Sequence, residues 1–178
     1  MLVHGASGGV GLAACDLARA LGAKVIAASH RQVMIKAPKA IDCADHHILN
    51  TGRFCEDVSD LTDGRLGDLV FDQLDDDVFD ESTRCVVFAG KLRVVGFVAG
   101  RIPQIALIKG SSVVGVRAGE YARRFPDRAA RMTEEVDRLA VSGAIPPHID
   151  RTMLLENWRA ALEAMERGEI VRKILLEL

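Results

Sequence analysis

The chain has 178 residues, 49% of them hydrophobic and 27% charged, with a formal net charge of -2 and a pI near 6.2. That balance belongs to one ordinary soluble globular domain, or one domain with a short appendage, able to bury a real core. With no run of basic residues it carries no footprint for nucleic acid, no apolar stretch approaches the roughly 18 to 20 residues that cross a membrane, and the N-terminus lacks the pattern of a secretory leader, so the cytoplasm is the expected compartment.

Met1, Leu2 and Val3 read as the end of a buried strand, and the stretch His4-Gly5-Ala6-Ser7-Gly8-Gly9-Val10-Gly11 follows at once. Val10, Ala13, Ala14, Leu17, Ala18 and Leu21 then recur at helical spacing. Strand, glycine loop and helix together form the context of a dinucleotide-phosphate loop. Glycine lets the backbone approach a pyrophosphate closely, and the first N–H groups of the helix, which have no partner within it, face the negative charge. Gly5, Ser7, Gly8, Gly9 and Val10 are therefore candidate cofactor contacts. Arg19 in the last turn and Gly22 beyond it mark the helix end.

Lys24 to Ala28 is a short apolar run suited to a parallel sheet covered on both faces. It exits through Ser29-His30-Arg31, where NAD-specific sites place an acid for the ribose 2′-hydroxyl. With no acid there, Ser29 can hydrogen-bond a 2′-phosphate and Arg31 can hold it with forked, charge-assisted bonds, with His30 between them. This favours NADPH over NADH.

Gln32 to Ala44 has helical spacing broken by Pro38. His46 to Leu49 reads as a third strand, Cys55 to Leu61 as a helix, and Asp68 to Asp72 as a fourth strand. Its exit carries Asp75, Asp76 and Asp77, acids suited to a helix start. A helix is expected over Val78 to Val87 with Gly90 as its cap, then a fifth strand over Lys91 to Gly96. Ser112 to Val116 is a sixth, edge-like strand, open to pairing with another chain.

Pro126 to Ser142 reads as an amphipathic helix, His148 to Thr152 as an extended piece, Leu154 to Glu166 as a helix and Ile170 to Leu178 as a final strand. That last strand needs a partner outside the six-stranded sheet. Cys15, Cys43, Cys55 and Cys85 are widely spaced, with no C-x-x-C pair, so reduced and partly buried thiols are expected and no metal site.

From end to end the chain resembles the coenzyme-binding half of the medium-chain dehydrogenase/reductase superfamily, in its zinc-independent NADPH:quinone oxidoreductase (zeta-crystallin-like) branch. The carriers are V-H-G-A-S-G-G-V-G at Val3 to Gly11, L-T-D-G-R at Leu61 to Arg65, V-F-D at Val70 to Asp72, V-V-G-F-V-A-G-R-I-P at Val94 to Pro103 and P-H-I-D-R-T at Pro147 to Thr152. Ala6 stands where the usual fingerprint has its first glycine, as in that branch. The resemblance implies an α/β fold, a Rossmann-type doubly wound parallel six-stranded sheet, with a C-terminal helix-strand appendage. It implies that Gly8, Gly9 and Val10 contact the pyrophosphate, that Ser29 to Arg31 surround the 2′-phosphate, and that Phe97 and Val98 lie near the nicotinamide.

It also implies two parts: residues 1–145 as the dinucleotide-binding domain, and 146–178 as a segment returning to an N-terminal substrate domain that is missing from this chain. The expected cofactor is NADP(H), the expected substrate a quinone or an enal or enone, and the expected assembly a homodimer through Ser112 to Val116. No residue presents itself as an obligatory acid or base. Tyr121 has Phe125 four positions on, so the Tyr-x-x-x-Lys pair of short-chain dehydrogenases is absent. The competing reading is a non-catalytic nucleotide-binding or oligomerisation module, a truncated reductase fragment.

Overall fold

The computed structural model describes residues 1–30, 42–73, 76–95, 108–170 and 173–178. Among them β1 (Leu2–Val3), β2 (Ile26–Ser29), β3 (His46–Leu49), β4 (Gly67–Asp72), β5 (Val86–Val94) and β6 (Ser112–Gly115) form one sheet in the order β3-β2-β1-β4-β5-β6. All its pairs are parallel, and Leu2 stands between Ile26 and Val70. The order reverses between β1 and β4, which is where open α/β sheets leave a crevice at the strand ends.

Alternation of side chains across the sheet decides what packs where. On one face Leu2, Ile26, Ala28, Ile48, Val70 and Leu92 meet Phe54 and Val58 of α2 (Phe54–Leu61) and Phe79 of α3 (Asp76–Arg84). On the other, Val3, Val25 and Ala27 meet Leu12, Cys15 and Ala18 of α1 (Gly9–Ala20). Fully burying one such Leu, Val or Phe contributes about 1.5–3 kcal/mol. Two-residue β1, with both side chains fully buried, is thus held at the sheet centre by packing on both faces as well as by its ladder bonds.

The end of α1 follows from local chemistry. Gly22 adopts φ 82°, its N–H donates to the Arg19 carbonyl at 2.8 Å and the Ala23 N–H to Ala18 at 2.9 Å. These are the paired bonds of a glycine-terminated helix, as the sequence predicts.

Three boundaries differ from the sequence reading. The helix predicted over Val78 to Val87 spans Asp76–Arg84, and Val86 and Val87 belong to β5. These β-branched residues suit a strand, and Val86 pairs with Gly67. The ladder then skips, resuming at Leu69 and Lys91, with Ala89 at φ 59°. Gly90, expected as a helix cap, lies inside β5, where an added Cβ would come within 2.8 Å of Val86 Cγ2.

Second, a short α4 (Ala118–Arg124), which the sequence reading did not anticipate, precedes α5 (Pro126–Val141). In α4 the Glu120 carboxylate accepts from Arg123 at 2.8 Å and from Arg124 at 2.6 Å, pairs that fit helical spacing.

Third, the C-terminal segment is a strand-helix-strand unit. β7 (Ile149–Leu154) is followed by a 3-10 turn (Leu155–Asn157), α6 (Trp158–Glu166) and β8 (Lys173–Glu177). Leu154 is extended, with ψ 146°, so the helix expected from it begins at Trp158. The final strand finds its partner within the chain, because β8 pairs in parallel with β7. Most of the broken helix predicted around Pro38, together with Asp75 and the Gly96–Arg101 extension of the fifth strand, lies outside the described residues. No described helix is long and apolar enough to cross a membrane.

Candidate cofactor-binding site

The glycine loop leaves β1 and enters α1 beside the reversal of strand order. Gly5 adopts φ 63°, a conformation that favours glycine. A Cβ on Gly11 would come within 2.2 Å of the Gly5 carbonyl oxygen and 2.8 Å of Ala6 Cα. Gly11 is therefore required for α1 to dock against the loop, whereas Gly8 and Gly9 meet only ordinary or slightly tight contacts. Val10, at the exposed start of α1, is 55% accessible. The loop closes on itself through the Gly8 N–H, which donates to the Gly5 carbonyl at 2.9 Å.

Three side chains brace this loop from below and beside it. His4 is fully buried, with its ring edge-on to Phe54. Ser82 of α3 donates its hydroxyl to the Val78 carbonyl at 2.6 Å, so the 2.8 Å contact between Ser82 Oγ and His4 Nε2 requires the histidine to donate. His4 is thus the neutral Nε2–H tautomer, and burial pushes its pKa down to about 4.

Gln73, just beyond β4, donates its side-chain amide to the carbonyls of His4 and Gly5, each at 3.2 Å. Ser29, at the end of β2, donates to Ser7 Oγ at 3.1 Å and is 2% exposed. Its side chain faces the loop, while the neighbouring His30 is exposed.

A cleft of about 330 Å³ opens along α1, lined by Gly9, Leu12, Asp16, Pro147, His148 and Lys173 among others. The Lys173 stem from β8 runs past the start of α1, 3.3 Å from where a Cβ on Gly9 would stand. Asp16, an acid on the buried side of α1, accepts a hydrogen bond from His148 Nε2 at 2.8 Å. This contact ties the C-terminal unit to the helix that follows the glycine loop.

The structure therefore brings Gly5, Ser7, Gly8, Gly9, Val10 and Ser29 together, with His30 at the mouth of β2. Arg31, Phe97 and Val98 lie outside the described residues. Sequence reasoning passed over Gln73, Lys173, Asp16 and His148. A polar residue directly after the fourth strand was the one available hint to Gln73; the others depend on where the C-terminal unit returns.

The family model for zinc-binding dehydrogenases matches residues 9–135. The chain belongs to this family, within the medium-chain dehydrogenase/reductase superfamily. It is 28% identical over 187 residues to a quinone oxidoreductase-like protein 2 homolog of Nematostella vectensis, covering 99% of this chain and 50% of that protein. It is 30% identical over 183 residues to an acryloyl-coenzyme A reductase of Sulfurisphaera tokodaii, again covering 99% and 50%. Among solved structures, Escherichia coli quinone oxidoreductase complexed with NADPH superposes with a TM-score of 0.83 at 26% identity, covering 99% of this chain and 56% of that one. The chain thus spans about half the length of the relatives it matches.

Among the described residues no three His, Cys, Asp or Glu side chains are grouped as a metal ion would require. Cys43 Sγ lies 3.9 Å from His47 Nε2, which supplies two donors. The glycine loop fits a dinucleotide: it is open at Val10, backed tightly at Gly11, and meets at Gly8 only the Gly5 carbonyl oxygen and at Gly9 only the flexible Lys173 stem.

Proposed function

We propose that this chain is the NADP(H)-binding part of a quinone-oxidoreductase-like reductase that passes hydride from NADPH to a quinone or an activated alkene. The observation that carries this reading is the glycine loop, whose tight turn at Gly5 and close docking at Gly11 aim the start of α1 at the crevice. In this reading the backbone around Gly8, Gly9 and Val10 holds the pyrophosphate. Gly5 and Ser7 shape the turn, and Ser29 holds Ser7 in place from the adjacent strand.

Ser29, His30 and Arg31 surround the 2′-phosphate, and Phe97 and Val98 border the nicotinamide. Bound NADPH supplies the hydride, while the chain contributes binding, orientation and exclusion of water. No side chain is assigned as a catalytic acid or base.

Residues 1–145 form the dinucleotide-binding domain in this proposal, and 146–178 return to a substrate domain. The exposure of Leu154, Trp158 and Leu178 on the C-terminal unit supports such a contact. A homodimer through 112–116 is supported by the position of β6 at the sheet edge. The cytoplasm is the proposed compartment.

Titration of the purified chain with NADPH and with NADH tests the cofactor assignment. Preference for NADPH that disappears in Arg31→Ala is the expected result, and equal or absent affinity for both cofactors overturns it. The uncovered apolar surface of the C-terminal unit also suits the second reading, a non-catalytic nucleotide-binding or oligomerisation module. NADPH consumption above background with a simple quinone selects the reductase; NADPH binding without consumption selects the module.

A further inference from the structure

Arg117, Tyr121, Phe125, Arg128 and Met132 recur three or four positions apart through α4 and α5, across the corner at Phe125 where the two helices meet. All five are exposed, Tyr121 at 39%, Phe125 at 44% and Met132 at 60%, and Arg131 stands exposed beside them. The two rings touch, with centroids 5.1 Å apart, and the Arg128 guanidinium lies over the Phe125 ring at 5.4 Å. None of these residues lines the cleft beside α1.

The corner is fixed by its own backbone. The Phe125 N–H donates to the Tyr121 carbonyl at 2.9 Å, and the Phe125 carbonyl accepts from the N–H groups of Arg128 and Ala129 at 3.1 and 3.0 Å. Pro126 then starts α5 with its φ already restricted. Glu120 is engaged within α4, where it accepts from Arg123 and Arg124. Among the described residues Arg117, Arg128 and Arg131 have no carboxylate partner.

We propose that this α4–α5 corner is a docking surface for an acidic segment of a partner protein, whose apolar side chain seats on Tyr121, Phe125 and Met132 while its carboxylates engage Arg117, Arg128 and Arg131.

Charge complementarity selects the partner. Five arginines and two acids lie between Arg117 and Arg131, on a chain whose net charge is -2. An acidic segment is therefore attracted to this corner and repelled by the remaining surface, which favours one orientation of encounter. The window holds no lysine. Tyr, Phe, Met and Arg without Lys is the composition of protein contacts, whereas nucleic acids and anionic membranes are met equally well by lysine charge. Because the rings already touch and the backbone is fixed, docking loses little conformational freedom at the seat. The surface is independent of the cofactor assignment, since the glycine loop contributes nothing to it.

The test is fluorescence anisotropy of the folded chain with a fluorescein-labelled peptide of alternating Glu-Glu-Phe and Glu-Glu-Leu triplets. Saturable binding is expected, weakening about tenfold between about 50 and about 300 mM sodium chloride as screening sets in. Phe125→Ala and Arg131→Glu should each weaken it about tenfold. Circular dichroism checks the fold of both, and Arg131→Glu, which alters an exposed side chain, carries the test if Phe125→Ala changes the spectrum. Absence of peptide binding overturns the proposal, as does equal binding of a peptide with Gln in place of Glu, or an affinity unchanged by Arg131→Glu. Tighter binding of oligo-deoxythymidine or phosphatidylserine vesicles that depends on the same residues overturns the choice of partner. So does sedimentation velocity showing a dimer that dissociates in Phe125→Ala, which would give the surface to a second copy of this chain.

Discussion

The side-chain amide of Gln73 donates to the Gly5 carbonyl oxygen over 3.2 Å, joining the exit of β4 to the turn of the glycine loop. The same amide reaches the His4 carbonyl, so two loop acceptors depend on one side chain. Gln73→Ala is expected to cost about 1–2 kcal/mol of stability by leaving them without this donor. Gln73→Glu replaces the donor with a carboxylate beside two carbonyls and should weaken NADPH binding about tenfold, equivalent to about 1.4 kcal/mol. Thermal denaturation and calorimetric titration measure the two effects; an unchanged NADPH affinity in Gln73→Glu would remove Gln73 from the binding site.

Gly11→Ala tests the docking of α1. Its Cβ would meet the Gly5 carbonyl oxygen and carbon and the Ala6 Cα, all backbone atoms that cannot rotate away. Overpacking of this kind is expected to destabilise by at least about 2 kcal/mol. Gly52→Ala is a useful contrast. No atom lies within 4 Å of its added Cβ, so its positive φ of 65° is the one source of strain. Urea unfolding of both variants should show the larger loss at Gly11.

His4 makes stability depend on pH. Its pKa is about 4 in the folded chain against an ordinary value of 6.5, because burial opposes the imidazolium. Above pH 6.5 both states are neutral at this residue and it imposes no penalty. As pH falls from 6.5 towards 4 the unfolded chain takes up a proton that the folded one refuses, so stability drops by about 3 kcal/mol and then levels off. His4→Gln keeps a donor for Ser82 without the titration. Its urea midpoint should decline less than that of the unchanged chain between pH 7 and pH 4.5, and parallel declines would refute the assignment.

The Asp16–His148 contact predicts where the molecule opens first. Replacing His148 by Ala leaves an acid on α1, 9% exposed in its side chain, without this donor. A coupling energy of about 1–3 kcal/mol is expected from the double-mutant cycle with Asp16→Asn. Hydrogen exchange should accelerate in β7, α6 and β8 and remain slow in β1, β2 and β4. Uniform acceleration would mean that the C-terminal unit is not held by this pair.

Much of the candidate site was legible without coordinates. The order strand, glycine loop, helix and Gly22 cap depends on interactions within a few residues, and periodicity exposes such interactions directly. The boundary between α3 and β5 was not legible, because Val86 and Val87 suit a helix face or a strand, and pairing with Gly67 chose the strand. Ser29 is a mixed case. Its place at the end of β2 was readable, but its hydroxyl is directed onto Ser7, a contact set by the approach of loop and strand.

The sequence by itself determined the fold class, the start of the first helix and the family, since each is written in short motifs and in the spacing of apolar residues. The tertiary structure decided which side chains stabilise the glycine loop. Gln73 reaches Gly5 across 68 positions, Ser82 reaches His4 across 78, and His148 reaches Asp16 across 132. It also decided that the final strand closes on β7. No local pattern encodes these partners, because they meet only once burial of both sheet faces has brought the strand ends and the C-terminal unit to the same edge.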